Sequence, residues 1–99
     1  MRKLSNVDIC YWLTDWCTEA GLSPAKVTFK VHPKKPIIYI FTSRPGYLIG
    51  KAGYLIDKYK KYLKTYAKKY RISKKYKIEL VEVVESDYWV AYEPENYGY

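Results

Sequence analysis

Two glycines three positions apart, Gly50 and Gly53, bracket Lys51 and Ala52 between a short helical stretch and a long one. No other feature narrows the chain so far. A residue without a Cβ can take backbone angles closed to the rest and lets another molecule approach the main chain closely. The turn feeds straight into a helix, whose first N–H groups lack intrahelical partners and carry a partial positive charge. Lys51 adds a full charge at the tip. A chain built this way can hold a phosphate or a sugar-phosphate backbone. It is not a triphosphate-binding loop, because the Gly-Lys-Ser/Thr ending is missing. It is not a dinucleotide fingerprint either, since no Gly-x-Gly-x-x-Gly is present.

The flanking elements follow from periodicity. Ser5 to Ala20 reads as a helix, with Ser5 as N-cap, Asp8 completing a near capping box, and Ile9, Leu13, Trp16 and Ala20 on one face. Gly21 stops it, and Pro24 lies beyond. Trp12 and Trp16 read as core or core-edge residues. Lys26 to Val31 alternates as a half-buried strand with Val27, Phe29 and Val31 on one side. Residues 32–36 form a turn between Pro33 and Pro36, with His32 a turn residue. Ile37 to Thr42 is a second strand, apolar enough to be covered on both faces, and the two strands pair as a hairpin. Tyr54 to Tyr70 is the long helix, with Ile56, Tyr59, Leu63, Tyr66, Ala67 and Tyr70 as its apolar stripe. Tyr76 to Val84 is a third strand whose alternation slips at Val81, Val83 and Val84, which reads as a bulge or a strand end. Residues 1–85 form one domain, and residues 86–99 an acidic, aromatic tail.

Charge is segregated along these 99 residues. Between Arg44 and Lys77 twelve basic residues face Asp57 alone, whereas from Ile78 onward there are six acids and no Lys or Arg. A basic block of this kind is the electrostatic footprint of a phosphate binder. Other chemistries find little support. The one histidine sits in a turn, and no nucleophile–base pair, paired carboxylates or metal-ligand cluster appears, so no catalytic residue, metal or cofactor is expected. Cys10 and Cys17 lack metal-site or redox spacing, and seven helical residues hold them about 10 Å apart, too far for a disulfide. No stretch is long and apolar enough for a membrane span, and the expected location is cytoplasmic.

The segment from Thr42 to Ile56 contains Thr-x-Arg-Pro-Gly-x-x-Ile-Gly-x-x-Gly-x-x-Ile at Thr42, Arg44, Pro45, Gly46, Ile49, Gly50, Gly53 and Ile56. It resembles the KH domain, most of all that of the small-subunit ribosomal protein S-three family, to which Glu82-Val83 is also similar. The likeness runs from Ala25 to Val84, and the first helix fits the extra N-terminal helix of the type II topology. The resemblance implies an α+β fold in the order α-β-β-α-α-β, a three-stranded sheet covered on one face by three helices. It also implies single-stranded RNA binding. Gly50, Lys51, Ala52 and Gly53, with Arg44, would hold the backbone. Gly46, Tyr47, Leu48, Ile49 and Ile56 would form the helical side of a base groove, and Ile78 and Leu80 its strand side. Lys58, Lys60, Lys74 and Lys75 would supply supporting charge.

The chain departs from the ribosomal protein in ending soon after the last strand, so it reads as a stand-alone relative that need not act on the ribosome. Single-stranded DNA fits the same clamp, and a protein-docking module or a ribonucleoprotein partner is the rival class. The acidic tail reads either as solubilising or partner-docking, or as a competitor for the basic groove. Gly50→Asp with Lys51→Asp is expected to remove RNA binding and leave the fold intact.

Overall fold

The computed structural model describes residues 3–72 and 75–84. Helix α1 (Asn6–Ala20) begins at a complete capping box. The Asp8 amide donates to Ser5 Oγ at 3.1 Å, and the Ser5 amide donates back to the Asp8 carboxylate at 3.1 Å. It ends at Gly21, whose φ of 78° is the left-handed helix stop. A short 3-10 turn, Pro24–Lys26, leads to β1 (Thr28–Val31), so the first strand starts two residues later than its alternation suggests. The 32–36 turn is organised by His32, whose Nδ1 accepts from the amides of Lys34 and Lys35 at 3.0 Å each. Strand β2 (Ile37–Thr42) then pairs antiparallel with β1, Phe29 opposite Ile40 and Val31 opposite Ile38.

Helix α2 (Pro45–Ile49), a 3-10 turn over Lys51–Gly53 and helix α3 (Tyr54–Lys69) carry the chain to β3 (Lys77–Glu82). Strand β3 lies beside β2 and parallel to it, giving the order β1-β2-β3. Its register against β2 is unbroken from Ile37↔Lys77 to Thr42↔Glu82. A bulge is therefore absent, and the other reading, a strand end, holds: β3 stops at Glu82, before Val83 and Val84. The apparent slip arises because both faces of β3 are apolar, Ile78 and Leu80 toward one side and Val81 toward the other.

Side chains alternate across the sheet. Ile38, Ile40 and Ile78 meet Ile9, Leu13 and Trp16 of α1, Leu48 of α2, and Leu55, Tyr59 and Leu63 of α3 in one core. The three helices thus share one face of the sheet. Phe41, of opposite parity, is 1% exposed and stands outside that core, so β2 is buried on both faces, as its continuous apolar run implies. Leu55 is buried although the helical stripe omitted it, and Tyr70, assigned to that stripe, is exposed. Trp16 is fully buried and stacks on Tyr59 with ring centroids 5.5 Å apart, while Trp12 is half-buried. Both cysteines are free, Cys10 exposed and Cys17 buried. Among the described residues no helix is long and apolar enough to cross a membrane.

Candidate nucleic-acid interface

The Gly-rich turn is shaped by its own backbone and by what lies under it. Arg44 donates its amide to Thr42 Oγ1 at 3.1 Å, and Pro45 opens α2 with its φ already set. The single helical turn that follows ends in a buried bond: the Trp16 indole N–H donates to the Leu48 carbonyl at 2.9 Å. That carbonyl belongs to the last turn of α2, where intrahelical partners run out. The bond fixes the residue pair immediately before Gly50. Gly50 then takes φ 75° and ψ 177°, a region essentially closed to residues with a Cβ. A Cβ here would also come within 2.7 Å of the Leu55 Cβ. The turn therefore presses on the first residues of α3, with no room between them.

Lys51 and Ala52 form the exposed tip. Ala52 sits at φ 55°, unusual for a residue with a side chain, and Gly53 at φ 77° with open space where a Cβ would be. The Gly53 amide closes the turn onto the Gly50 carbonyl at 3.2 Å. Gly53 caps α3, a 16-residue helix, so its N-terminal amides open directly behind the tip. Asp57 lies in the same first turn and is exposed.

Around the tip stand three exposed apolar residues, Tyr47 (49%), Ile49 (38%) and Tyr54 (66%). The Arg44 guanidinium lies 5.8 Å from the centre of the Tyr47 ring, within cation–π range. Gly46 is exposed on the same short helix; Ile56 and Leu80 are half-buried. Ile78 is 7% exposed and lines a groove beside α3 together with Lys60 and Lys75.

Two assignments need correction. Leu48, expected in the groove wall, is fully buried in the core, because α2 turns that side toward Trp16 and the sheet. Lys58, expected as supporting charge, bridges back to α1, where its Nζ donates to both Glu19 carboxylate oxygens at 2.9 and 2.7 Å. The Tyr59 hydroxyl donates to the same carboxylate at 2.8 Å. Hydrogen bonds from Lys58 and then Tyr59 hold the Glu19 carboxyl below the usual carboxylate range, and the Glu19 bond raises the Lys58 ammonium. The geometry at Gly50 argues against the expected survival of the fold in Gly50→Asp, since a Cβ there would stand 2.7 Å from the Leu55 Cβ. Lys74 and the tail of residues 86–99 lie outside the described residues. Tyr54, which like Tyr47 reads from the sequence either as a ring that stacks on bases or as one that packs on neighbouring helices, is exposed beside the turn.

The family model described as KH domain matches residues 8–87. The chain belongs to the KH domain family. Nucleic-acid binding without catalysis is the general property of KH domains, which clamp a single strand by its backbone at a GxxG turn. No curated protein and no solved structure matches the chain.

Proposed function

We propose that this KH domain is a type II module that binds single-stranded RNA, gripping the sugar-phosphate backbone at Gly50-Lys51-Ala52-Gly53. The observation that supports it most is the turn itself. Gly50 is held in a glycine-only conformation against Leu55, and Lys51 and Ala52 stand clear of the body at the start of α3. Main-chain amides, a helix N-terminus and a lysine converge there on one small region, the arrangement an anionic backbone requires. Helix α1 and two strands precede α2 and the turn, and the strand after α3 runs parallel to β2, in keeping with the type II topology. Beside the turn, Tyr47, Ile49 and Ile56 on the helices and Leu80 on β3 offer apolar surface for unstacked bases, with Arg44 at the groove's entrance.

The test is a fluorescence-anisotropy titration of short single-stranded RNA and DNA at two salt concentrations. The companion variant is Lys51→Asp with Ala52→Asp. Both positions are exposed, and aspartate tolerates the left-handed backbone at Ala52 better than most residues. The wild type should bind in a salt-sensitive manner and the folded double variant should not. Equal affinity of the two proteins refutes the clamp. Tighter binding of DNA than of RNA reassigns the strand, and no binding to either by the folded wild type moves the function to protein docking.

A further inference from the structure

Beyond the clamp, α3 borders a groove of about 670 Å³ with an apolar floor of Leu4, Leu63, Ala67, Ile72 and Ile78. Its rim is entirely basic: Lys60, Lys61, Lys64 and Lys68 from α3, and Lys75 and Lys77 from the approach to β3. No carboxylate lines it among the described residues. Lys77 leans toward Glu79 at 3.3 Å, whereas the other five have no ion-pair partner among the described residues. Five ammonium groups around one concavity, without an ion-pair partner among the described residues, repel one another, and an anion that enters relieves the repulsion.

Helix α3 runs from the clamp to this groove. Lys60 and Lys64 follow Ile56 at four-residue intervals, so the three lie on one stripe of α3. Lys61, Lys64 and Lys68 form a second row at helical spacing along the rim. At 1.5 Å per residue, Lys61 stands about 12 Å and Lys68 about 22 Å from Gly53 along the axis. A row of this length is matched by a linear ligand with regularly repeated negative charge. Tyr76 and the aliphatic floor supply the apolar surface on which sugars and bases rest.

We infer that the groove between α3 and the start of β3 is a second binding segment, which takes the continuation of the same RNA strand beyond the about four nucleotides held at the GxxG turn. This inference rests on the RNA-binding reading above. The charge row favours a phosphate backbone over an acidic protein segment, since the charges of a nucleic acid recur at every residue.

The experiment compares four-nucleotide and ten-nucleotide RNAs on the wild type and on Lys61→Gln/Lys64→Gln/Lys68→Gln. The three positions are exposed, and glutamine keeps lysine's helix propensity, so the variant should fold; circular dichroism verifies it. A control changes Lys34 and Lys35 to Gln in the exposed β1–β2 turn. The wild type and the control should bind the ten-nucleotide strand at least tenfold tighter than the four-nucleotide one. The groove variant should keep its short-strand affinity within twofold and lose the gain from length. Its slope of log K against log salt on the long strand should be shallower by about 2, the release expected for three lysines on a single strand. No gain from length in the wild type, or equal losses on both strands, overturns the second segment while leaving the clamp in place. A gain that the control loses equally makes the effect one of net charge and also overturns it. Binding of polyglutamate by the wild type but not the groove variant, without a length effect on RNA, assigns the groove to an acidic protein. Failure of the wild type to bind either RNA removes both readings.

Discussion

Replacing each glycine of the turn by alanine separates the two reasons a glycine can be needed. At Gly50 both apply. Its φ of 75° with ψ of 177° costs a residue with a Cβ about 1–3 kcal/mol. The new methyl would also stand 2.7 Å from the Leu55 Cβ and 3.1 Å from the Leu55 amide nitrogen. Leu55 belongs to the core and to the first turn of α3, so it cannot yield without moving the helix, and overpacking of this kind costs about 1–3 kcal/mol more. Gly50→Ala should therefore lose roughly 2–6 kcal/mol, a large part of what a domain of this size has. Gly53 has a left-handed φ of 77° and open space where its Cβ would be. Gly53→Ala should cost only the backbone penalty, about 1–2 kcal/mol. Urea unfolding followed by circular dichroism measures both. Losses equal within about 0.5 kcal/mol would refute the argument that Leu55 closes the space at Gly50. A Gly50→Ala variant as stable as the wild type would refute the turn's geometry altogether.

Three further outcomes follow from other contacts. Trp16→Phe leaves the Leu48 carbonyl buried without its indole partner, so it should lose about 1–3 kcal/mol in urea unfolding and weaken RNA binding by loosening α2; a neutral variant would deny that this bond positions the turn. Burial pushes the Cys17 thiol up to about 11, so at pH 8 a thiol reagent should label Cys10 quickly in the folded protein and Cys17 only after unfolding. Rapid labelling of both would place Cys17 wrongly. The lowered Glu19 carboxyl contributes stability that is present above the ordinary carboxylate range and fades as pH falls through its folded value, so wild type and Glu19→Gln should converge under acid. A stability difference that is unchanged at pH 2 would exclude the Lys58–Tyr59–Glu19 cluster as its source.

Features governed by near neighbours are legible in the amino-acid string itself. The capping box of Ser5 and Asp8, the stop at Gly21, the β1–β2 hairpin and the GxxG turn each depend on a few adjacent residues, and each stands where its signature lies. Propensity, capping and turn chemistry act over that range, so a linear string encodes them directly.

The roles of individual side chains at the interface are decided by residues far away in the chain. Leu48 and Ile49 are adjacent and alike, yet one is enclosed and the other exposed, because Trp16, 32 positions earlier, takes the Leu48 side of α2. Lys58 and Lys60 read as equivalent charges, but α1 places Glu19 beside only one of them, 39 positions away. The slip in β3 reads along the chain as either a bulge or a strand end, whereas its unbroken pairing with β2 up to Glu82 makes it a strand with two apolar faces that stops there. Periodicity says which residues share a face, whereas burial and charge pairing depend on which faces meet. Sequence alone therefore determined the KH turn and the elements around it. The tertiary packing of α1 and the sheet decided which side chains remain free to touch a ligand.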